Sequence, residues 1–453
     1  MADTIAFSAR ASLVILGARF QRLGLWSVVT EQVKIKQKVL THKPLDKLLD
    51  TLINILAGGT GVVEVNMRVR PDRAVQRAFG RADCAEQSTI SDTLNACTPE
   101  NVQQMRGAIQ TILQQHGRAY QHDYGRDWQL LDVDVTGMPA GRQGEGVTKG
   151  YFPHQKNRRG RQLGRVLATW YDEIIVDRLY NGKRQLDSSL QELVLTAEEM
   201  LALDETKRSR TIVRVDGGGG DDANIDWVLA RGYGLLVKVK NWQRARKLAA
   251  SVTQWYRDPK VPDREVGWAE QPHPYARPTR QLVLRKRRDT GVWSYHALVF
   301  NVPDAVLFRL AGEEMPAMPG AADILLAALH AYDARDGGVE TQNKGAKQGL
   351  GLTRRNKQRF AAQEMLVLLA QLAHNLVIWT RNDLAQVEPR LYKYGILRTV
   401  RDALQIPGQV QIDHHGHIGR ITLNRKHPLA SAFHRAYGAA LAADDLSLIL
   451  GQN

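Results

Sequence analysis

One stretch constrains the 453-residue chain more than any other: "SRTIVRVDGGGGDDANIDWVLARGYGLLVKVKN", Ser209 to Asn241. An apolar run stops at an acid, Asp216, and is followed by four glycines, a helical pattern and a second apolar run. That succession predicts strand, glycine turn, helix and strand, which is one α/β unit. Upstream, "WQLLDVDVTG" (Trp128 to Gly137) alternates apolar and polar residues like a strand running into a turn, and it too carries an acid, Asp134, towards its end. "GRVLATWYDEIIVDRLYNG" continues with further strands, Asn181 and Gly182 supplying the turn. An acid at a strand end, where backbone pairing stops and a cleft opens, is placed to hold a cation over a substrate.

The flanking regions have other textures. Residues 1 to 125 read as mostly helical, with "LDKLLDTLINILAGG" stopping at a glycine pair and two short helical patterns, "RPDRAVQRAFG" and "QSTISDTLNAC", behind it. In the second of these Ser88 is the expected N-cap. Residues 243–320 break the α/β rhythm with "RQLVLRKRRDTGVWSYHALVFNV", a hairpin pattern turning at Asp289 to Gly291, so a β-rich insertion is expected there. Helical texture resumes at Ala321 and runs through "AAQEMLVLLAQLAHNLVIWT", while "VQIDHHGHIGRITL" reads as a hairpin near the end. The expected divisions are 1–125, 126–242, 243–320, 321–380 and 381–453.

Charge narrows the partner. Sixty-two Lys and Arg against 47 Asp and Glu give a formal charge of +15, which points to a polyanion such as nucleic acid. The glycine-rich segment from Gly141 to Arg165 holds Lys149, Lys156, Arg158, Arg159, Arg161 and Arg165; glycine lets backbone pass close to a partner and the bases neutralise phosphates. Arg354, Arg355, Lys357 and Arg359 extend the same expectation. Membrane association is not expected, because the best apolar run, Glu364 to Trp379, is interrupted by Gln371, His374 and Asn375. Two cysteines in no paired spacing suit a reducing cytosol, and the N-terminal run Leu13 to Gly17, flanked by arginines, lacks a signal-peptide pattern.

The third acid comes from "YDARDGGVETQNKGAK", Tyr332 to Lys347. If a helix runs through it, Glu340, Lys344 and Lys347 fall at i, i+4 and i+7 on one face, and Asp333 and Asp336, which precede Gly337 and Gly338, fall in a turn or cap. Asp134 in "DVDVTG", Asp216 in "VRVDGG" and Glu340 then resemble the Asp, Asp and Glu of the DDE transposases of bacterial insertion sequences, in the branch with a β-rich insertion before the Glu helix. Eighty-two residues separate the first two acids and 124 the last two, room enough for that insertion. Tyr332, Arg335, Glu340 and Lys347 resemble that family's Tyr, Arg, Glu, Lys signature, except that the Arg335 to Glu340 interval is one residue longer. Asp134 is preferred to Asp132 because the family's first acid stands two before a Thr, here Thr136.

The resemblance implies an α/β fold: a ribonuclease H-like mixed-sheet core, interrupted by the β-rich insertion and preceded by a helical DNA-binding domain. It implies two Mg²⁺ ions, with Mn²⁺ able to substitute, held by Asp134, Asp216 and Glu340, and phosphate positioning by Tyr332, Arg335 and Lys347. The implied partners are double-stranded DNA, as terminal inverted repeats and as target, and a second copy of the chain on DNA, in the bacterial cytoplasm at the nucleoid. The alternatives left open are a ribonuclease H-like nuclease without strand transfer and a non-catalytic, transposase-derived DNA-binding protein.

Overall fold

The computed structural model describes residues 4–38, 41–152, 155 and 157–451. Lys156, one of the expected phosphate-neutralising bases, lies outside the described residues. Two compact units share the chain: residues 1–116, 139–147 and 342–453 form one, and residues 117–138 and 148–341 the other.

The second unit holds the α/β core. Its first five long strands are β1 (Gln129–Pro139), β2 (Arg159–Ala168), β3 (Glu173–Asn181), β4 (Thr211–Val215) and β5 (Gly234–Lys238), lying side by side in the order β3-β2-β1-β4-β5. β2 and β3 are antiparallel, whereas β1, β4 and β5 run parallel. The sheet is mixed, within the α/β texture expected for this region. The hairpin expected near Asp289 forms from β7 (Arg280–Arg287) and β8 (Trp293–Phe300), with β6 (Arg264–Trp268) beside it. These strands build no separate sheet. β8 pairs antiparallel with β5, Leu298 opposite Lys238 and Phe300 opposite Leu236, so the inserted segment widens the core sheet across its otherwise unpaired edge.

One face of this sheet carries Leu130, Ile212, Leu236, Leu298 and Phe300, and the helices Asp304–Ala311 and Ala321–Asp333 cover it with Leu307, Phe308, Leu325, Ala328 and Leu329. Each fully buried leucine contributes roughly 1.5–3 kcal/mol. Because side chains alternate along β1, Leu130 shares its face with Asp132 and Asp134, so the packing that seats helix Ala321–Asp333 also sets these acids beneath its C-terminal end.

The first unit is mainly helical. Ser88 lies inside helix Gln87–Ala96, whose N-cap is Glu86 without a side-chain cap bond, so Ser88 caps nothing. Helix Phe360–Val387 is, against expectation, long and apolar enough to cross a membrane, but 94% of its apolar window is buried inside the protein. It packs on helices Pro44–Leu56, Pro99–His116 and Ala430–Ala442, and its polar residues Gln371, His374 and Asn375 are buried with it. Strand Thr4–Ser8 pairs with Gly408–Ile412, which forms the expected hairpin with Ile418–Asn424.

Two arginines expected on the phosphate-facing segment are instead inside β2. Arg161 and Arg165 are each 1% exposed. Arg165 Nε and Nη2 donate to Asp177 Oδ1 and Oδ2 at 2.7 Å, a bidentate pair on the neighbouring strand. Replacing Asp177 with Ala removes the carboxylate from a buried ion pair and should lower stability by about 3–5 kcal/mol in urea denaturation. The exposed Lys149→Ala should stay within about 0.5 kcal/mol; equal effects would contradict this placement.

Candidate active site

Two residues apart on β1, Asp132 and Asp134 meet different surroundings. Asp132 is fully buried and accepts three hydrogen bonds, from Arg214 Nε at 2.6 Å, Arg214 Nη2 at 2.8 Å and Thr169 Oγ1 at 2.8 Å. Arg214 is its direct neighbour on β4, and the remaining nitrogen, Nη1, donates to the carbonyl of Ala331 at 2.6 Å, near the end of helix Ala321–Asp333. Asp132 is therefore saturated by structural partners. Asp134, 14% exposed, opens towards the sheet end and has Arg335 Nη2 at 2.9 Å.

Arg335 is 5% exposed and reaches two of the candidate acids, since its Nη1 donates to Glu340 Oε1 at 3.2 Å. Glu340 itself is 54% exposed. Burial raises the pKa of Asp134; the Arg335 charge opposes the shift, and the Asp216 and Glu340 charges add to it, with a net rise. Burial disfavours the Arg335 charge, but Asp134, Asp216 and Asp132 around it outweigh that and raise its pKa. The three acids thus share one electrostatic environment with a single buried guanidinium at its centre. Among the described residues no three His, Cys, Asp or Glu side chains are gathered tightly enough to form a metal cage without movement. The donor set nonetheless suits a hard divalent cation: all oxygen, all carboxylate, and carrying more negative charge than Arg335 neutralises.

Helix Ala321–Asp333 does not continue through the third acid. It ends at Asp333, and Asp336–Glu340 form a π-type turn in which Gly338 has non-helical angles (φ −89°, ψ −109°) before a new helix, Thr341–Gly349, begins. The break thus falls before Glu340, at Gly338, and not within the interval from Glu340 to Lys347. The extra residue between Arg335 and Glu340 is taken up in this turn, which is how π-type insertions are commonly accommodated near functional sites.

Other acids near the candidates have partners of their own. Asp221 caps helix Asp222–Ala230 by accepting from Asn224 N, Asp222 pairs with Arg244, Asp226 accepts from Ala276 N, and Asp333 pairs with Arg264. Asp216 Oδ1 accepts from Gly218 N at 2.8 Å, a turn bond that leaves its other oxygen for different use. In the glycine run after it, a Cβ on Gly220 would stand 1.9 Å from the Lys238 carbonyl, so close backbone approach dictates glycine there.

Tyr332 is largely buried, and burial raises its pKa. Lys149 and Arg158 are exposed and Arg159 half-buried. In the first unit, Lys344 and Arg354 are exposed and Lys347 half-buried. Arg355 is instead 4% exposed and donates to the Gly59 carbonyl at 2.7 Å, burial bringing its pKa down to about 10. It belongs to the packing of that unit and not to an exposed basic track.

Sequence reasoning missed Arg214, Thr169 and Lys238. Lys238, at the end of β5, is pushed to a lower pKa by burial while the nearby Asp216 pulls it up. A signal for the first of these exists: "DVD" and "RVD" each place a charge two before a candidate acid, on the same strand face, with opposite signs. Asp132→Asn should cost about 3–5 kcal/mol, since it unbalances a buried pair. Glu340→Gln, at a mostly exposed position, should cost less than about 1 kcal/mol. Denaturant midpoints of the two variants measure the contrast, and equal losses would mean that Asp132 is not the structural acid.

Comparison with known proteins adds three findings. Residues 5–442 match a family described as transposase DDE domain group 1. Among solved structures, the chain is similar to the piggyBac transposase of a cryo-EM synaptic complex with hairpin DNA, at 11% identity, over 88% of this chain and 82% of that one, with a TM-score of 0.44. No curated protein matches.

Proposed function

The chain belongs to the transposases with a DDE domain, and from that premise we propose that it binds the terminal inverted repeats of its own mobile element, cuts at their ends and joins the freed 3′-hydroxyls to target DNA. The observation that carries this reading is the convergence of Asp134, just beyond the pairing of β1 with β4, Asp216, just after β4, and Glu340, just before helix Thr341–Gly349, on the environment of one buried arginine. Such a cluster is electrostatically costly and serves no packing purpose, which is the signature of a site kept for chemistry.

Asp134, Asp216 and Glu340 would hold two Mg²⁺ ions, or Mn²⁺ in their place, which supply charge neutralisation at the attacking and leaving oxygens of phosphoryl transfer. The residues of the chain do the rest. Arg335 bridges Asp134 and Glu340 and would supply a fixed positive charge beside the scissile phosphate. Tyr332 lines the same end of helix Ala321–Asp333. Lys149, Arg158, Arg159, Lys344, Lys347 and Arg354 neutralise phosphates and position the duplex without reading bases. Arg161 and Arg355, both buried, take no part. Reading of the end sequence falls to the N-terminal helices. Two ends must be cut together, so the working form on DNA is a homodimer, acting on chromosomal DNA in a bacterial cytoplasm.

The test is cleavage and joining of a labelled duplex carrying the element's own end, with Mg²⁺, by the parent protein and Glu340→Gln. Joined products should fall by more than about 100-fold in the variant, as when a charge-stabilising group is removed from a transition state, while end binding persists. Cleavage without joining by the parent would make the protein a nuclease instead. Unchanged joining by Glu340→Gln would mean the wrong acid has been assigned. End binding should also weaken on the order of 1,000-fold between about 50 and 200 mM salt, measured by gel shift, because several phosphate contacts release counterions. A flat salt response would remove the DNA reading.

A further inference from the structure

Glu340 is the most exposed of the three acids, and among the described residues its side chain accepts a hydrogen bond from Arg335 alone. The two residues before it, in contrast, are both buried. Gly338 lies directly over the Asp132–Arg214 pair: a Cβ there would stand 2.7 Å from Asp132 Oδ2, 3.2 Å from Thr169 Cγ2 and 3.5 Å from Arg214 Nη2. No side chain fits without moving one of them. Val339, 0% exposed, packs between Leu167 on β2 and Ile174 on β3 in a small apolar cluster of its own. The turn is thus held at two successive residues, one by backbone contact with an ion pair and the other by an apolar plug, and both holds end one residue short of the acid.

Resting on the reading above, we propose that Asp132, Thr169 and Arg214 form a seat that, through Gly338 and Val339, sets the position of Glu340 relative to Asp134. They are positioning residues and touch no substrate. Arg214 serves both ends of the arrangement. It grips Asp132 on β1 and, through Nη1, the carbonyl of Ala331, so the strand that presents Asp134 and the helix that leads into the Glu340 turn are tied to one guanidinium. Thr169 closes the seat by donating to Asp132 Oδ2, the same oxygen that a Cβ on Gly338 would strike. A π-type turn joining two helices has freedom to slide by a residue; a glycine pressed on a saturated ion pair removes that freedom.

The experiment compares Gly338→Ala, Thr169→Val and Thr169→Ser with the parent and Glu340→Gln in the full chain. Three quantities are read: end cleavage across a Mn²⁺ titration, end binding, and the rise in melting temperature that Mn²⁺ gives the protein without DNA. Gly338→Ala should lose about 100-fold in cleavage, the penalty for displacing a reacting group by around 1 Å, with end binding within about two-fold of the parent. Thr169→Val should lose on the order of 10-fold and need more Mn²⁺, as supporting partners of a metal ligand do. Thr169→Ser keeps the hydroxyl and should behave as the parent. The Mn²⁺-dependent rise in melting temperature should shrink in the same order.

Parental cleavage and Mn²⁺ requirement in Gly338→Ala, beside an inactive Glu340→Gln, would overturn the seat alone. A fully active Glu340→Gln would overturn the assignment of the acid and, with it, the purpose of the seat. Should Gly338→Ala fail to fold, the Thr169 pair decides: Val and Ser variants that cleave equally well would sink the proposal, and a defect confined to Val would support it.

Discussion

Everything in the candidate site stands on the buried pair of Asp132 and Arg214. A carboxylate and a guanidinium removed from water are costly unless every polar atom finds a partner. Here Asp132 receives three donors, and Arg214 spends its third nitrogen on the Ala331 carbonyl. The pair therefore links β1, β4 and a helix end, and it does so at the depth where the sheet stops being apolar. Replacing it with leucines would bury more hydrocarbon but would lose the directional bonds that fix how the helix end sits over the strands. The specificity of the arrangement, more than its net stability, is what the charges contribute.

That foundation explains why two aspartates on one strand face differ in character. Asp132 lies at the level of Arg214 and is neutralised by it; Asp134, one step further along the same face, passes beyond β4's paired residues into the neighbourhood of Arg335, Asp216 and Glu340. Its carboxyl is held at a raised pKa by burial and by its acidic neighbours. A fold optimised for stability alone would place an amide or an apolar residue at Asp134. The negative charge there, incompletely matched by Arg335, favours whatever brings positive charge to that end of the sheet.

The core was legible in the sequence because its signals are local. Apolar runs that stop at Asp134 and Asp216, glycine turns and an alternating hairpin gave the strands, and the β5-to-β8 pairing was missed only because pairing between segments some sixty residues apart leaves no local mark. The arginines show the same limit more sharply. Arg158, Arg159, Arg161 and Arg165 look alike as a basic run, yet the structure leaves the first exposed and the second half-buried while it buries the other two. What separates them is a partner on the adjacent strand, Asp177 in the case of Arg165, and finding it requires the antiparallel register of β2 and β3. Arg355 is hidden for a related reason, since its acceptor is the carbonyl of Gly59, nearly three hundred residues away.

Distance along the chain also proved a poor guide at the third acid. One residue too many between Arg335 and Glu340 would, on a continuous helix, rotate the acid by about 100° away from its partner. The turn at Asp336–Glu340 absorbs the surplus before the next helix begins, and the contact from Arg335 Nη1 to Glu340 Oε1 survives. For this to work, the inserted turn must be pinned, since a loose one would let Glu340 sample both registers. Gly338 against Asp132 and Val339 between Leu167 and Ile174 supply that constraint from two sides of the turn. A longer interval between Arg335 and Glu340 is thus compatible with their contact when the residues that absorb it are small enough to approach the core and apolar enough to stay there.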